Sequence, residues 1–161
     1  MNATNYGEQQ WLNLMFGQIS FGGGGPVSSG PANFYVGLLT NTSMADGTTP
    51  TEPDPAEDYN RVAIANNKTT GWNDAVDTGG GVWEVTNKNN IVFPQAKIAG
   101  LGGLGWADVF YVGIFDTATP ATGNLIAWGL LTGATPPTLG VTVSAGTQMT
   151  INAGDLAFRL D

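Results

Sequence analysis

Hydrophobic and polar positions along the chain change period once. Near the start, Trp11, Leu12, Met15 and Phe16 fall at i, i+1, i+4 and i+5, which is one apolar stripe on a short amphipathic helix. Asn5 and Glu8 have the spacing of a capping box, in which each side chain satisfies an orphan backbone donor, and Gly17 supplies a stop. Phe21 to Pro31 (FGGGGPVSSGP) predicts a flexible or extended connector, because successive glycines hold regular structure only at high entropic cost. From Asn33 onward the pattern becomes short β-type runs between turn residues. Strands are predicted near Phe34–Thr40, Arg61–Ala65, Val82–Thr86, Ile91–Phe93, Val109–Phe115, Leu125–Leu131, Thr138–Val143, Thr147–Ile151 and Leu156–Leu160. This rhythm predicts an all-β fold, an antiparallel β-sandwich of jelly-roll or immunoglobulin-like type, led by one helix. Residues 1–32 then form a helix and connector arm, and residues 33–161 the sandwich domain.

One run recurs. Phe34-Tyr-Val-Gly-Leu-Leu-Thr40 and Phe110-Tyr-Val-Gly-Ile-Phe-Asp116 share their first four residues, and Trp128-Gly-Leu-Leu-Thr132 repeats the second half. Glycine inside a buried strand needs a reason, such as the close approach of a ring or a neighbouring backbone. These runs are expected to be central strands of one sheet whose aromatics cover each other's glycines. By contrast, the segment Asn41–Tyr59 carries Asp46, Glu52, Asp54, Glu57 and Asp58 with no base, and is expected to be an exposed acidic flap.

Composition narrows the chemistry. The 161 residues suit one domain, and only 11% of them are charged, against about 25% in an ordinary soluble domain. A net charge of −8 disfavours binding to a phosphate backbone, so no nucleic-acid partner is expected. With neither histidine nor cysteine, Ser-His-Asp and Cys-His catalysis, disulfides and the usual zinc sites are excluded. The opening residues have no basic n-region or long apolar run, so neither a secretory signal nor a membrane span is expected.

Gly100-Leu-Gly-Gly-Leu-Gly105 fits G-x-G-x-x-G formally, but it runs into Trp106-Ala-Asp-Val-Phe-Tyr, which reads as strand where a dinucleotide site needs a helix. Asp108 and Asp116 lie at opposite ends of one predicted strand, too far apart to share a sugar, and Asp74, Asp77, Glu84 and Asp155 show no sign of converging. Asp54, Glu57 and Asp58 offer oxygen ligands for calcium, but without EF-hand spacing, so neither metal nor cofactor is expected. Among the tryptophans, Trp83 and Trp128 lie within strands and are expected in core or subunit contacts. Trp72 and Trp106 border glycine-rich segments and are the better candidates for exposure.

The order of landmarks in the C-terminal half resembles a widespread family of small tailed-phage virion proteins. The carriers are Trp106–Asp116 with its V-G-I-F-D strand, Gly123-Asn-Leu125, Trp128-Gly-Leu-Leu-Thr132 and Ala153-Gly-Asp-Leu156. Upstream, Phe34–Thr40, Tyr59-Asn-Arg-Val-Ala63 and Ile91-Val-Phe-Pro-Gln-Ala96 also fit, and the chain departs from the pattern in the Gly22–Gly30 connector, the Gly100–Gly105 insertion and a longer acidic loop. The resemblance implies a non-enzymatic β-sandwich subunit of the particle, made in the host cytoplasm and placed on the virion. The first expectation is a capsid decoration or cement protein bound to the major capsid protein as a homo-oligomer, with a trimer favoured. The second is a tail or neck component, either a fibre adaptor or a receptor-contacting tip. The residues expected at partner interfaces are Trp11, Leu12, Met15, Phe16, Trp72 and Trp106.

Overall fold

The computed structural model describes residues 31–45, 47–131, 134, 136 and 138–160. The predicted helix at Asn5–Phe16 and nearly all of the connector lie outside them. What is described is almost entirely β, and its strands pair antiparallel. Eleven strands follow in order: β1 (Asn33–Leu39), β2 (Val62–Ala65), β3 (Val76–Asp77), β4 (Trp83–Thr86), β5 (Ile91–Gln95), β6 (Trp106–Val109), β7 (Tyr111–Phe115), β8 (Leu125–Leu130), β9 (Val141–Val143), β10 (Gln148–Ile151) and β11 (Ala157–Leu160). All nine predicted runs carry a strand. The run around Val109 divides at Phe110 into β6 and β7, and β3 is an additional two-residue strand.

The chain forms two compact units, one from Phe34–Ala63 with Val92–Thr150, the other including Ile64–Ile91 and the segment from Ile151 onward. The first holds most of the largest sheet, whose order is β2-β1-β7-β8, and the pairs β6-β9 and β10-β5. The second holds β11-β4-β3. Its fully buried side chains are Val85, Asn87 and Trp72, whose ring meets Phe158 edge-on at 6.3 Å.

The first two recurring runs have the physical basis their glycines suggested, whereas the third lies in β8, at the edge of the sheet and not its centre, where a Cβ on Gly129 would meet nothing within 4 Å. In the β1–β7 ladder Gly37 lies directly across from Gly113, and in the β7–β8 ladder Gly113 lies across from Trp128. The Phe115 ring covers both glycines. A Cβ on Gly37 would stand 2.8 Å from Phe115 Cε2 and 2.8 Å from Glu52 Oε1, and one on Gly113 would stand 2.9 Å from the same ring atom and 2.8 Å from Leu125 Cδ1. The Arg61 guanidinium lies over the ring, 3.5 Å from its centroid. The ring is thus packed against a cation and two bare stretches of backbone.

An alanine at either glycine overpacks this sandwich, at a cost of about 1–3 kcal/mol. Gly37→Ala is expected to cost more than Gly113→Ala. Both meet the clamped ring, but the second obstacle at Gly37 is a hydrogen-bonded carboxylate that cannot move, whereas at Gly113 it is the end of Leu125, which can turn aside. Urea denaturation of both variants measures the order.

The acidic segment is a correction to the expected flap. Glu52 does not face solvent: its carboxylate is almost fully buried and forms a bidentate pair with Arg61, Nε to Oε1 at 2.9 Å and Nη2 to Oε2 at 2.6 Å. Pro53 and Tyr59 are buried beside it. The segment has no base of its own, but the base arrives two residues after it ends. Asp54 and Asp58 are exposed as expected, with Asp54 Oδ1 accepting from the Ala56 N–H to start a single 3-10 turn at Pro55–Glu57.

Tyr59 ties this corner together. Its hydroxyl donates to Glu52 Oε1 at 2.9 Å and accepts from the Leu38 N–H at 2.8 Å. Burial, reinforced by the neighbouring Glu52 carboxylate, pushes the phenol far above the ordinary tyrosine range. The folded protein therefore holds this proton more tightly than the unfolded chain does. The resulting stability is complete below the unfolded pKa of about 10 and is lost as the pH rises above it. Tyr59→Phe should lower stability at neutral pH but flatten its alkaline decline, as denaturant melts between pH 8 and 11 can show.

Candidate interaction surface

The surface that stands out is the free edge of the largest sheet, made by β8 and what flanks it. The β7–β8 hairpin is shaped by its connecting turn. Asp116 accepts from the Asn124 N–H through Oδ1 (2.8 Å) and from the Asn124 side-chain amide through Oδ2 (2.7 Å). These hydrogen bonds hold its carboxyl below the usual carboxylate range. Gly123 sits at φ +70°, and a side chain there would collide with Thr117 and Asp116. The G-N-L and V-G-I-F-D landmarks are therefore two halves of one turn. Arg61 anchors that turn to the sheet by donating to the carbonyls of Thr117 (2.9 Å) and Thr122 (3.0 Å).

Past the turn, the ladder register shifts between Ile114 and Phe115, leaving Ile126 as the extra residue of a bulge. Ile126, Trp128 and Leu130 are exposed while Leu125, Ala127 and Gly129 are half-buried. Trp128 leans edge-on against Tyr111 at 5.6 Å and remains 41% exposed. Its expected place in a strand is met, but not a place in the core of this chain. Among the described residues β8 has a neighbour on one side only, and the strand leaves much of the indole uncovered.

Beside this edge runs an open groove of about 580 Å³, with the loop Ala45–Pro50 as its far wall. Its near wall is the continuous run Gly123–Trp128. Side chains alternate along a strand, so a groove lined by consecutive residues follows the strand's edge and not one of its faces. No residue in Gly123–Leu131 carries a charge.

A second apolar feature is the tip of the glycine-rich insertion. Leu101 and Leu104 are exposed, Leu104 at 89%. The loop is nonetheless tethered: the Leu104 N–H donates to Glu57 Oε2 at 2.8 Å, and the Lys97 N–H to the Glu57 carbonyl at 3.1 Å. Gly100–Gly105 holds only a short 3-10 turn, Ala99–Leu101, and leads into β6 and not a helix.

Trp72 and Trp106 require a correction. Both are buried, Trp72 at 0% exposure. Trp106 packs edge-on against Tyr59 (5.3 Å) and Phe93 (6.3 Å), and its indole N–H donates to the Glu57 carbonyl at 3.1 Å. The glycines preceding them mark close backbone approach and not loose loops. A Cβ on Gly71 would run into the Ala65 carbonyl, and one on Gly105 would stand 2.6 Å from the Val143 carbonyl. Trp11, Leu12, Met15 and Phe16 lie outside the described residues. Strand placement alone leaves Trp128 as a core or a subunit contact and does not single out the β8 edge. The signal available was the absence of charge and proline from the run.

The acidic groups have local structural tasks. Glu84 pairs with Arg159, Asp77 accepts from the Gly79 N–H at 2.7 Å, and Asp108 accepts from the Thr142 hydroxyl at 2.6 Å. Among the described residues no three acidic, histidine or cysteine side chains gather as a metal site, and no helix is long and apolar enough to cross a membrane.

A search of the curated proteins returns no match. The family model described as podophage GP4 fiber I protein gp80 matches residues 2–159, nearly the whole chain. The chain belongs to that family of phage virion structural proteins.

Proposed function

We propose that the chain is a non-enzymatic, tail-fibre-like structural subunit of a phage particle, and that it assembles with other virion proteins through the β8 edge. The observation carrying this reading is the uncharged edge strand with Ile126, Trp128 and Leu130 exposed beside an open groove. Monomeric proteins normally blunt such an edge with lysine, proline or a covering segment. Aromatic residues at the centre of a contact supply most of its energy, which gives Trp128 the leading role. The apolar stripe Trp11, Leu12, Met15 and Phe16 is the second attachment element, and the subunit works as a homo-oligomer.

The family description favours the tail over the outer capsid shell. Quantitative mass spectrometry of purified particles, referenced to the major capsid protein, tests the placement. A few copies per particle, in keeping with tail or neck symmetry, is the expected result. Numbers comparable with the capsid subunits would overturn it in favour of a shell decoration protein. Loss of Trp128→Ser protein from particles, with the purified variant still folded, would identify the edge as the attachment.

A further inference from the structure

We propose that the occupant of the β8 edge is the β8 edge of a second copy of this chain, the two strands running antiparallel across a two-fold axis. This rests on the reading of β8 as an assembly surface and names its partner.

The backbone makes the first argument. The Leu131 N–H donates to the Phe110 carbonyl at 2.9 Å, which sets the phase of the β7–β8 ladder. In an antiparallel pair, hydrogen-bonded and non-bonded positions alternate. Gly129 and Ala127 therefore bond inward to β7, and Trp128 and Leu130 turn their N–H and carbonyl groups outward to the free edge. These groups lie in the part of the strand beyond the Ile126 bulge, where the ladder is regular. A second extended strand satisfies them.

Charge makes the second argument and points to this chain as its own partner. Each copy carries a net −8, so two copies repel wherever acidic surfaces meet. From Thr117 to Gly154 the sequence contains no Asp, Glu, Lys or Arg, and β8 lies within that stretch. A basic partner would select an acidic face; an uncharged edge is where identical acidic copies can approach without penalty.

Self-complementarity is the third argument. Antiparallel pairing of identical strands is isologous, so the same patch serves on both sides. The groove beside Gly123–Trp128 accepts the partner's strand while the partner's groove accepts this one. The two indoles at position 128 then lie close to the axis, where each covers the apolar surface the other leaves bare.

The test is sedimentation equilibrium of the full chain across a range of concentrations, comparing wild type with Trp128→Lys and Leu130→Pro. Trp128→Lys places like charges near the axis. Leu130→Pro removes an N–H that points away from β7 and makes no bond among the described residues, a position where proline is tolerated. Wild-type dimers, with dimerisation weakened roughly tenfold or more in both variants at unchanged circular dichroism, is the expected result. A wild-type monomer, an oligomer whose mass neither variant alters, or capture of a different virion protein on β8 in place of a second copy would each overturn the proposal. Dimers that are absent from purified particles would instead overturn the virion role and leave the edge pairing intact.

Discussion

Arg61→Ala is expected to destabilise the unit containing β1, β7 and β8 by about 3–5 kcal/mol, because it leaves the Glu52 carboxylate buried without its counter-charge. The guanidinium does three things at once. It neutralises Glu52 through two hydrogen bonds, it caps the Thr117 and Thr122 carbonyls, and it covers the Phe115 ring at 3.5 Å. Glu52 in turn accepts from the Tyr59 hydroxyl and the Ala121 N–H, so the unpaired charge would disturb both the 41–59 segment and the hairpin turn. Arg61→Lys should recover little, since an ammonium neither forms the fork nor stacks flat on the ring. Apolar replacement of both partners is often tolerated at a buried ion pair. Here the double variant Arg61→Met/Glu52→Leu should regain only part of the loss, because the Thr117 carbonyl, the Ala121 N–H and the Tyr59 hydroxyl each lose a partner. Urea denaturation of the four proteins measures each step.

Asn87→Leu is expected to cost roughly 3 kcal/mol in the unit built on β11-β4-β3, by orphaning three backbone groups. The Asn87 amide donates to the carbonyls of Asn89 (2.9 Å) and Asn152 (2.8 Å), and its oxygen accepts from the Leu156 N–H (2.8 Å). The residue is completely buried, so no water can replace those bonds in place. Its own backbone also bonds to Leu156 and Gly154, which positions the approach to β11. Asn87→Asp should be no milder, because a carboxylate cannot donate to two carbonyls. Hydrogen exchange gives the discriminating readout: Asn87 variants should speed exchange at β4 and β11 amides, and Arg61 variants at β1 and β7 amides.

These two residues show the limit of reading a sequence along its length. Arg61 was legible only as a member of a strand, and Asn87 as one of many asparagines. Each acquires its importance from partners far off in the chain, Thr122 in one case and Leu156 in the other. The same limit explains the misplaced tryptophans. Glycine beside an aromatic has two meanings, a loose loop or a close approach, and only the neighbouring backbone distinguishes them. At Gly71 that neighbour is the carbonyl of Ala65, across a local turn, and at Gly105 it is the carbonyl of Val143, far along the chain.

What the sequence determined by itself is local. Period-two runs bounded by turn residues located the strands, and the shared V-G motif correctly foresaw glycines covered by a neighbouring ring in one sheet. The absence of histidine and cysteine limits the chemistry whatever the fold. The order of landmarks across the chain pointed to the virion family. Tertiary structure alone decided which strand ends the largest sheet, and therefore that β8, and not Trp72 or Trp106, exposes its apolar side chains. It also decided that Glu52 goes inside. The physical reason is the same in both cases: burial and pairing are properties of which segments become neighbours, and strand order is not encoded in the spacing of residues along any one strand.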